Sequence, residues 1–229
     1  MLAKVDIENL RTFGYTVCTG VPDSITTLDF CSAVGRVLNL HKLNKDYPDR
    51  SVDTLTPRDK CTQDLNRYHG NFGFEEYPLH TDLAHWIVPP RYLVLRRRTG
   101  LGLVSTFVLD APTLADWLPQ SIVQRALFFP RQARVITALP FRISQTLPFT
   151  LRWDGMFIRP ANVQANVCAG IFRSSAFVAS RKPIFLSAET VILIIDNWRC
   201  LHGRSAVPLA DRKRSVERTY LESIYGIPS

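Results

Sequence analysis

Residues 191–204 read Val-Ile-Leu-Ile-Ile-Asp-Asn-Trp-Arg-Cys-Leu-His-Gly-Arg. Residues 191–195 form the longest strongly apolar run of the chain, and it is only strand-sized. A short apolar run rich in β-branched residues, closed by Asp196-Asn197-Trp198, predicts a buried strand and then a turn. His202 follows, with Gly203 beside it. A histidine just past a buried strand and next to a glycine sits at the mouth of a sheet. Taken alone, it is better explained as a core histidine bonded to backbone.

The same texture recurs on both sides of this stretch. Residues 14–17, 92–95, 104–109, 135–138, 149–153, 156–158, 183–186 and 219–224 all predict short strands. Helical spacing predicts helices over 3–12, 25–41 (behind an Asp23-Ser24 cap), 111–128 and 162–178, the last weakened by Gly170. Residues 42–77 are polar and rich in turn formers, the character of a functional loop or lid. No repeat or linker divides the 229 residues, which suit one domain spanning 1–229. Many short strands with helical inserts point to a mainly β fold with flanking helices, a sandwich or jelly roll.

Composition narrows the function classes. No apolar run reaches the roughly 20 residues that cross a bilayer, and no signal-like apolar segment follows the first residues. The five cysteines are odd in number, scattered and without a CxxC pair. They point to a reduced, cytoplasmic protein and away from a cysteine-built zinc site. The net charge of +8 raises nucleic acid as a partner. Its densest clusters, Arg96-Arg97-Arg98 and Asp211-Arg212-Lys213-Arg214, are short and not interleaved with aromatics. A basic surface or an anion pocket explains them better.

His80-Thr81-Asp82 adds chemistry. In a strand, residues two apart face the same side, so a histidine and a carboxylate at this spacing can grip one ion. Alone, such a triplet is usually surface polarity. With His202 it makes two histidines and one carboxylate, the facial triad that leaves open positions on non-haem Fe(II). Arg214 and Arg218 share a strand face with Val216, and an arginine fork suits a carboxylate. A solvated charged run is the competing reading, and it accounts well for Arg212 and Lys213.

The order His-x-Asp, a distant His-Gly-Arg, then Arg-x-x-x-Arg resembles the taurine dioxygenase and clavaminate synthase-like superfamily of Fe(II)/2-oxoglutarate-dependent dioxygenases. The resemblance rests on residues 79–82, 196–204 and 214–220. It implies a double-stranded β-helix, a cupin-like jelly roll with outer helices. It implies His80, Asp82 and His202 as iron ligands, and Arg214 with Thr106 as the grip on the distal carboxylate of 2-oxoglutarate. Arg218 would lie on the substrate side, with His85 and Trp86 lining the pocket. The implied reaction uses Fe(II), 2-oxoglutarate and O2, supported by ascorbate, and releases succinate and CO2. It would hydroxylate a C–H bond of a small molecule with an anionic group, an amino acid or a natural-product intermediate in biosynthesis. Desaturation, cyclisation and a protein or nucleic-acid substrate are the alternatives. Asp82 disfavours halogenation, because halogenases of this superfamily lack that carboxylate. Tyr68, His69, Asn71 and Phe74 are further candidates for a substrate wall, although His69 suits a solvated loop better. Arg152 and Arg159 flank an expected hairpin at Asp154-Gly155, with at least one of them on the surface.

Overall fold

The computed structural model describes residues 5–131, 137–147 and 149–227. Thirteen strands run in chain order as β1 (Tyr15–Cys18), β2 (Gly35–Leu38), β3 (Asp53–Leu55), β4 (Tyr77–His80), β5 (Tyr92–Thr99), β6 (Ser105–Leu109), β7 (Leu127–Pro130), β8 (Leu139–Pro140), β9 (Ile158–Pro160), β10 (Lys182–Phe185), β11 (Ile192–Asp196), β12 (Leu201–Arg204) and β13 (Ser215–Ile224). A six-stranded sheet has the order β1-β11-β5-β13-β2, and β3 continues beside β2 along the same edge of β13. A four-stranded sheet has the order β10-β6-β12-β4. A small third sheet, β8-β7-β9, lies apart from these two.

Side-chain alternation sorts the apolar residues into three layers. Leu93 and Leu95 of β5, Leu193 and Ile195 of β11, and Val216 and Tyr220 of β13 meet Val108 of β6 in one buried cluster between the two large sheets. Tyr92, Val94, Ile192, Ile194 and Leu221 point the other way and pack with Leu10, Phe30 and Cys31. Those residues come from the flanking helices α1 (Ile7–Phe13) and α2 (Thr27–Val34). The outer face of the four-stranded sheet, through Leu79, Leu109 and Leu201, packs on a third cluster that includes Leu114, Val123, Cys168 and Phe177. The result is β-sheets with helices on their outer faces.

The strands expected at 14–17, 92–95, 104–109, 183–186, 191–195 and 219–224 each have a counterpart. Other expectations need correction. The helix predicted over 25–41 is α2, then β2, then a single turn, α3 (Leu40–Leu43). Val34, Val37 and Leu38 satisfy a helical period, but residues 35–38 pair with Tyr220–Ile224, completing an edge that would otherwise be bare. In 42–77, β3 and α4 (Tyr68–Phe72) form, so the segment is partly built into the sheet. The helix over 111–128 breaks into α5 (Ala111–Trp117) and α6 (Gln120–Arg125). Leu118 precedes Pro119 and is extended, as residues before proline prefer. The helix over 162–178 breaks at Ser174, whose hydroxyl caps α8 (Ser175–Ala179) after α7 (Val163–Arg173). Residues 149–153 are no strand. Their amides turn to scattered acceptors, Leu151 to the Trp198 carbonyl and Arg152 to that of Phe141. The hairpin expected at Asp154-Gly155 is a turn, with the Asp154 carboxylate accepting from the Met156 and Phe157 amides. The strand predicted over 135–138 falls partly outside the described residues.

The Arg96-Arg97-Arg98 cluster is not a surface patch. Alternation along β5 sends Arg96 to one face and Arg97 to the other, and both are buried. Arg96 donates to the carbonyls of Glu189, Ile25 and Pro22. Arg97 donates to those of Leu186, Ser187 and Gly100. Arg159 is exposed, as expected for one of its pair, while Arg152 is only 1% exposed. Among the described residues, no helix is long and apolar enough to cross a membrane.

Candidate metal centre

Adjacent strands of the four-stranded sheet bring the two histidines together. β4 and β12 are antiparallel, and His202 stands directly opposite His80. Their ring centroids are 4.5 Å apart. The ladder is irregular between His202 and Arg204, and there the strands come unusually close. A Cβ on Gly203 would lie 2.6 Å from the Tyr77 carbonyl oxygen, so only glycine fits. The Asp82 carboxylate completes the group. Its Oδ1 lies 3.2 Å from His80 Nε2 and 3.5 Å from His202 Nε2. The three residues offer ligand atoms within 4.8 Å of one another, and all three are buried.

The surroundings set the orientation and charge of these groups. His80 Nδ1 lies 2.8 Å from the Pro78 carbonyl, which places the ring proton there and turns the Nε2 lone pair toward Asp82. Burial works against the Asp82 charge, yet the contacts from His202 and His80 and the Arg218 cation hold its pKa well below the ordinary carboxylate value. Burial, reinforced by His80, lowers the pKa of His202 and favours its neutral form. Burial also opposes a charge on His80, but Asp82 outweighs it and raises that pKa. An anionic carboxylate and neutral imidazoles are the forms that bind a divalent cation, so Asp82 and His202 are already favoured in them, while His80 would release a proton on binding one.

The backbone around Asp82 is fastened from two sides. Asn197, fully buried, accepts from the Asp82 amide at 2.8 Å and donates to the Asp82 carbonyl at 3.1 Å and the Pro90 carbonyl at 2.8 Å. Leu83 then takes a φ of +58°, a left-handed conformation uncommon for leucine, and turns the chain away. Thr81 is held by Trp153, amide to carbonyl at 2.7 Å and Trp153 amide to Thr81 Oγ1 at 3.1 Å. Tyr68 of α4 stacks on His80 at 4.2 Å between centroids and donates to Asp154 at 2.9 Å.

Arg214 lies 6% exposed just before β13. Its Nε is buried with no partner. Burial pushes its pKa down to about 10; Asp211 acts against that, while Arg204 and Arg97 add to it. The Asp211 oxygens are committed to the Leu101 and Leu103 amides at 2.7 and 3.1 Å. The turn from β5 to β6, which carries the chain from one large sheet to the other, has φ +102° at Gly100 and +73° at Gly102, values that favour glycine. Thr106 is buried and stands opposite Arg204 across the β6–β12 ladder. Three arginines around one unpartnered N–H suit a carboxylate.

The other predicted residues fall in different places. Arg218 lies between two carboxylates, 3.4 Å from Asp82 and 3.2 Å from Asp53 of β3. Trp86 meets Tyr47 edge-on at 5.3 Å and joins the layer between the sheets. His85 packs against Phe157 at 5.8 Å, and burial and Arg152 lower its pKa. His69 pairs with Asp64, Asn71 bonds the Leu65 and Arg67 carbonyls, and Phe74 lies under Arg212. The contacts of His69 and Asn71 are local to the loop, while Arg212 reaches Phe74 from the turn before β13. Sequence reasoning passed over Asp53, Asn197 and Tyr220. Asn197 did have a signal, its place in the turn between the apolar strand and His202.

No protein-family model matches the chain, and no curated protein matches it by sequence. Solved structures do match it in shape. An asparagine oxygenase, solved in complex with Fe(II), 2S,3S-3-hydroxyasparagine and succinate, superposes with a TM-score of 0.68 at 16% identity, over 91% of this chain and 74% of that one. The non-haem iron oxygenase OrfP, in complex with Fe, gives 0.64 at 16% identity, over 95% and 78%. PvcB, an Fe, alpha-ketoglutarate dependent oxygenase from an isonitrile synthetic pathway, gives 0.62 at 17% identity, over 91% and 75%. The fold of this chain is therefore the fold of iron- and 2-oxoglutarate-dependent oxygenases. Its two imidazoles and one carboxylate are the donor set that suits non-haem Fe(II).

Proposed function

We propose that the chain is a single domain, 1–229, that acts as an Fe(II)- and 2-oxoglutarate-dependent oxygenase. It hydroxylates an unactivated C–H bond of a small molecule with an anionic group, an amino acid or a close relative. The observation that carries this reading is the buried His80–Asp82–His202 cluster, one residue pair facing across two strands and one carboxylate between them. The strand order supports a double-stranded β-helix, the cupin-like jelly roll. Within the two facing sheets, β2-β13-β5-β11 stands against β4-β12-β6-β10, and the chain passes repeatedly from one to the other.

Fe(II), with 2-oxoglutarate and O2, supplies C–H oxidation coupled to release of succinate and CO2. The chain's own residues do the rest. His80, Asp82 and His202 hold the metal and leave its other positions free. Arg214, with Thr106 on the same inner face, binds the distal carboxylate of 2-oxoglutarate. Arg218 stands on the substrate side. Trp86, edge-on to Tyr47, closes that side against water, and His85, packed on Phe157, lines the pocket from another side. Amino acids are the favoured substrates because the asparagine oxygenase and OrfP structures hold hydroxyasparagine and hydroxy-L-arginine. The five cysteines are all free, which fits a reducing, cytoplasmic setting. Burial of Arg96 and Arg97 takes the densest basic cluster off the surface, which favours a small molecule over nucleic acid as the partner.

The test is succinate release from 2-oxoglutarate with Fe(II), ascorbate and air across a panel of amino acids. At least one should stimulate it, and His80→Ala should abolish it. Equal succinate from wild type and His80→Ala would refute the assignment.

A further inference from the structure

All three metal-binding candidates belong to the four-stranded sheet or the turn beside it, yet one of them is braced from the facing sheet. Tyr220 lies on the inner face of β13 and is 4% exposed. Its hydroxyl donates to Asp82 Oδ2 at 2.6 Å. Arg218, two residues earlier on the same face, reaches the same oxygen at 3.4 Å. Arg218 is steadied in turn by Asp53, whose other oxygen accepts from Arg50 at 2.7 Å. The contacts therefore divide the carboxylate: Oδ2 faces the phenol and guanidinium of the six-stranded sheet, and Oδ1 faces the two histidines. Asn197 fixes the backbone of the same residue on both sides, so its carboxylate can change orientation mainly by rotating about its own bonds.

We propose that Tyr220 is a positioning residue that reserves Asp82 Oδ2, so that Asp82 offers the metal a single oxygen, Oδ1. The inference rests on the metal-centre reading above and adds a role for a side chain outside it. A carboxylate with one oxygen already bonded to a buried donor is pre-oriented and loses little freedom when it takes up a cation. Freed of that donor, it can swivel or turn both oxygens to the ion. The strut also ties ligand geometry to the gap between the sheets, because ligand and brace come from opposite sides of it.

Tyr220→Phe removes only the hydroxyl. The probe is Co(II), which reports its coordination by visible absorption, titrated into metal-free protein under anaerobic conditions. Circular dichroism of the metal-free variant should match wild type. Its Co(II) affinity should fall by about 10- to 100-fold, the usual effect of losing an outer partner of a ligand, and its absorption spectrum should change. Should Tyr220→Phe not fold, Arg218→Gln removes the longer contact to the same oxygen, and it should shift affinity and spectrum the same way but less. A folded variant with wild-type affinity and spectrum overturns the proposal while the metal centre stands. A wild-type chain that takes up no Co(II) overturns the reading of the centre, and this inference with it.

Discussion

Arg152 and Arg214 are alike in almost every bulk property. Both are buried, burial pushes the pKa of each down to about 10, and neither has a carboxylate in ion-pair contact among the described residues. They differ in what their N–H groups meet. Arg152 donates to the carbonyls of Pro140, Ala84, Trp86 and Ile87, so it splints the loop that leaves Asp82. Arg214 keeps a buried Nε without a partner, among other arginines. An unsatisfied buried donor is costly, and a ligand carboxylate is one group that would satisfy Arg214 Nε. Burial and charge do not tell these two arginines apart; what their N–H groups meet does.

Substitution should separate the two. Arg152→Met strips partners from three carbonyls in the loop after Asp82 and from that of Pro140 in β8, and chemical denaturation should show a stability loss of about 4 kcal/mol. A loss below about 1 kcal/mol would mean that the splint is idle. Arg214→Met should leave stability unchanged or raised, since it removes a buried charge that lacks a partner. Its effect should appear in 2-oxoglutarate binding to the metal-loaded protein, weakened roughly 100-fold, or about 3 kcal/mol. Wild-type binding there would move the 2-oxoglutarate site elsewhere and end the contrast. Arg159→Ala, at an exposed position over the Phe129 ring, should change stability by no more than about 0.5 kcal/mol.

The same distinction governs what could be read from sequence. The apolar run at 191–195 announced β11 because local composition alone specifies a buried strand. The metal candidates were legible because His80 and Asp82 are close in sequence and His202 follows that strand. The register that sets His202 against His80 was not legible, since it depends on which strands pair. The predicted helix over 25–41 hid β2 for a related reason: its apolar spacing suits both states, and the open edge of β13 decides. Pro119 did carry a local signal, and the leucine spacing that runs across it masked the break. Tyr220 and Asp53 reach the centre from the facing sheet and its edge strand, and no local pattern marks such residues. Arg214 was visible as a residue suited to an anion. Its unpartnered Nε became visible only with the fold.

The central claim is that His80, Asp82 and His202 together form one iron site. Anaerobic titration of the metal-free protein with Fe(II), followed by calorimetry, tests it most directly. The account predicts one Fe(II) per chain for wild type and no measurable binding for Asp82→Ala, with the variant still folded. Equal stoichiometry and affinity in wild type and a folded Asp82→Ala would contradict it.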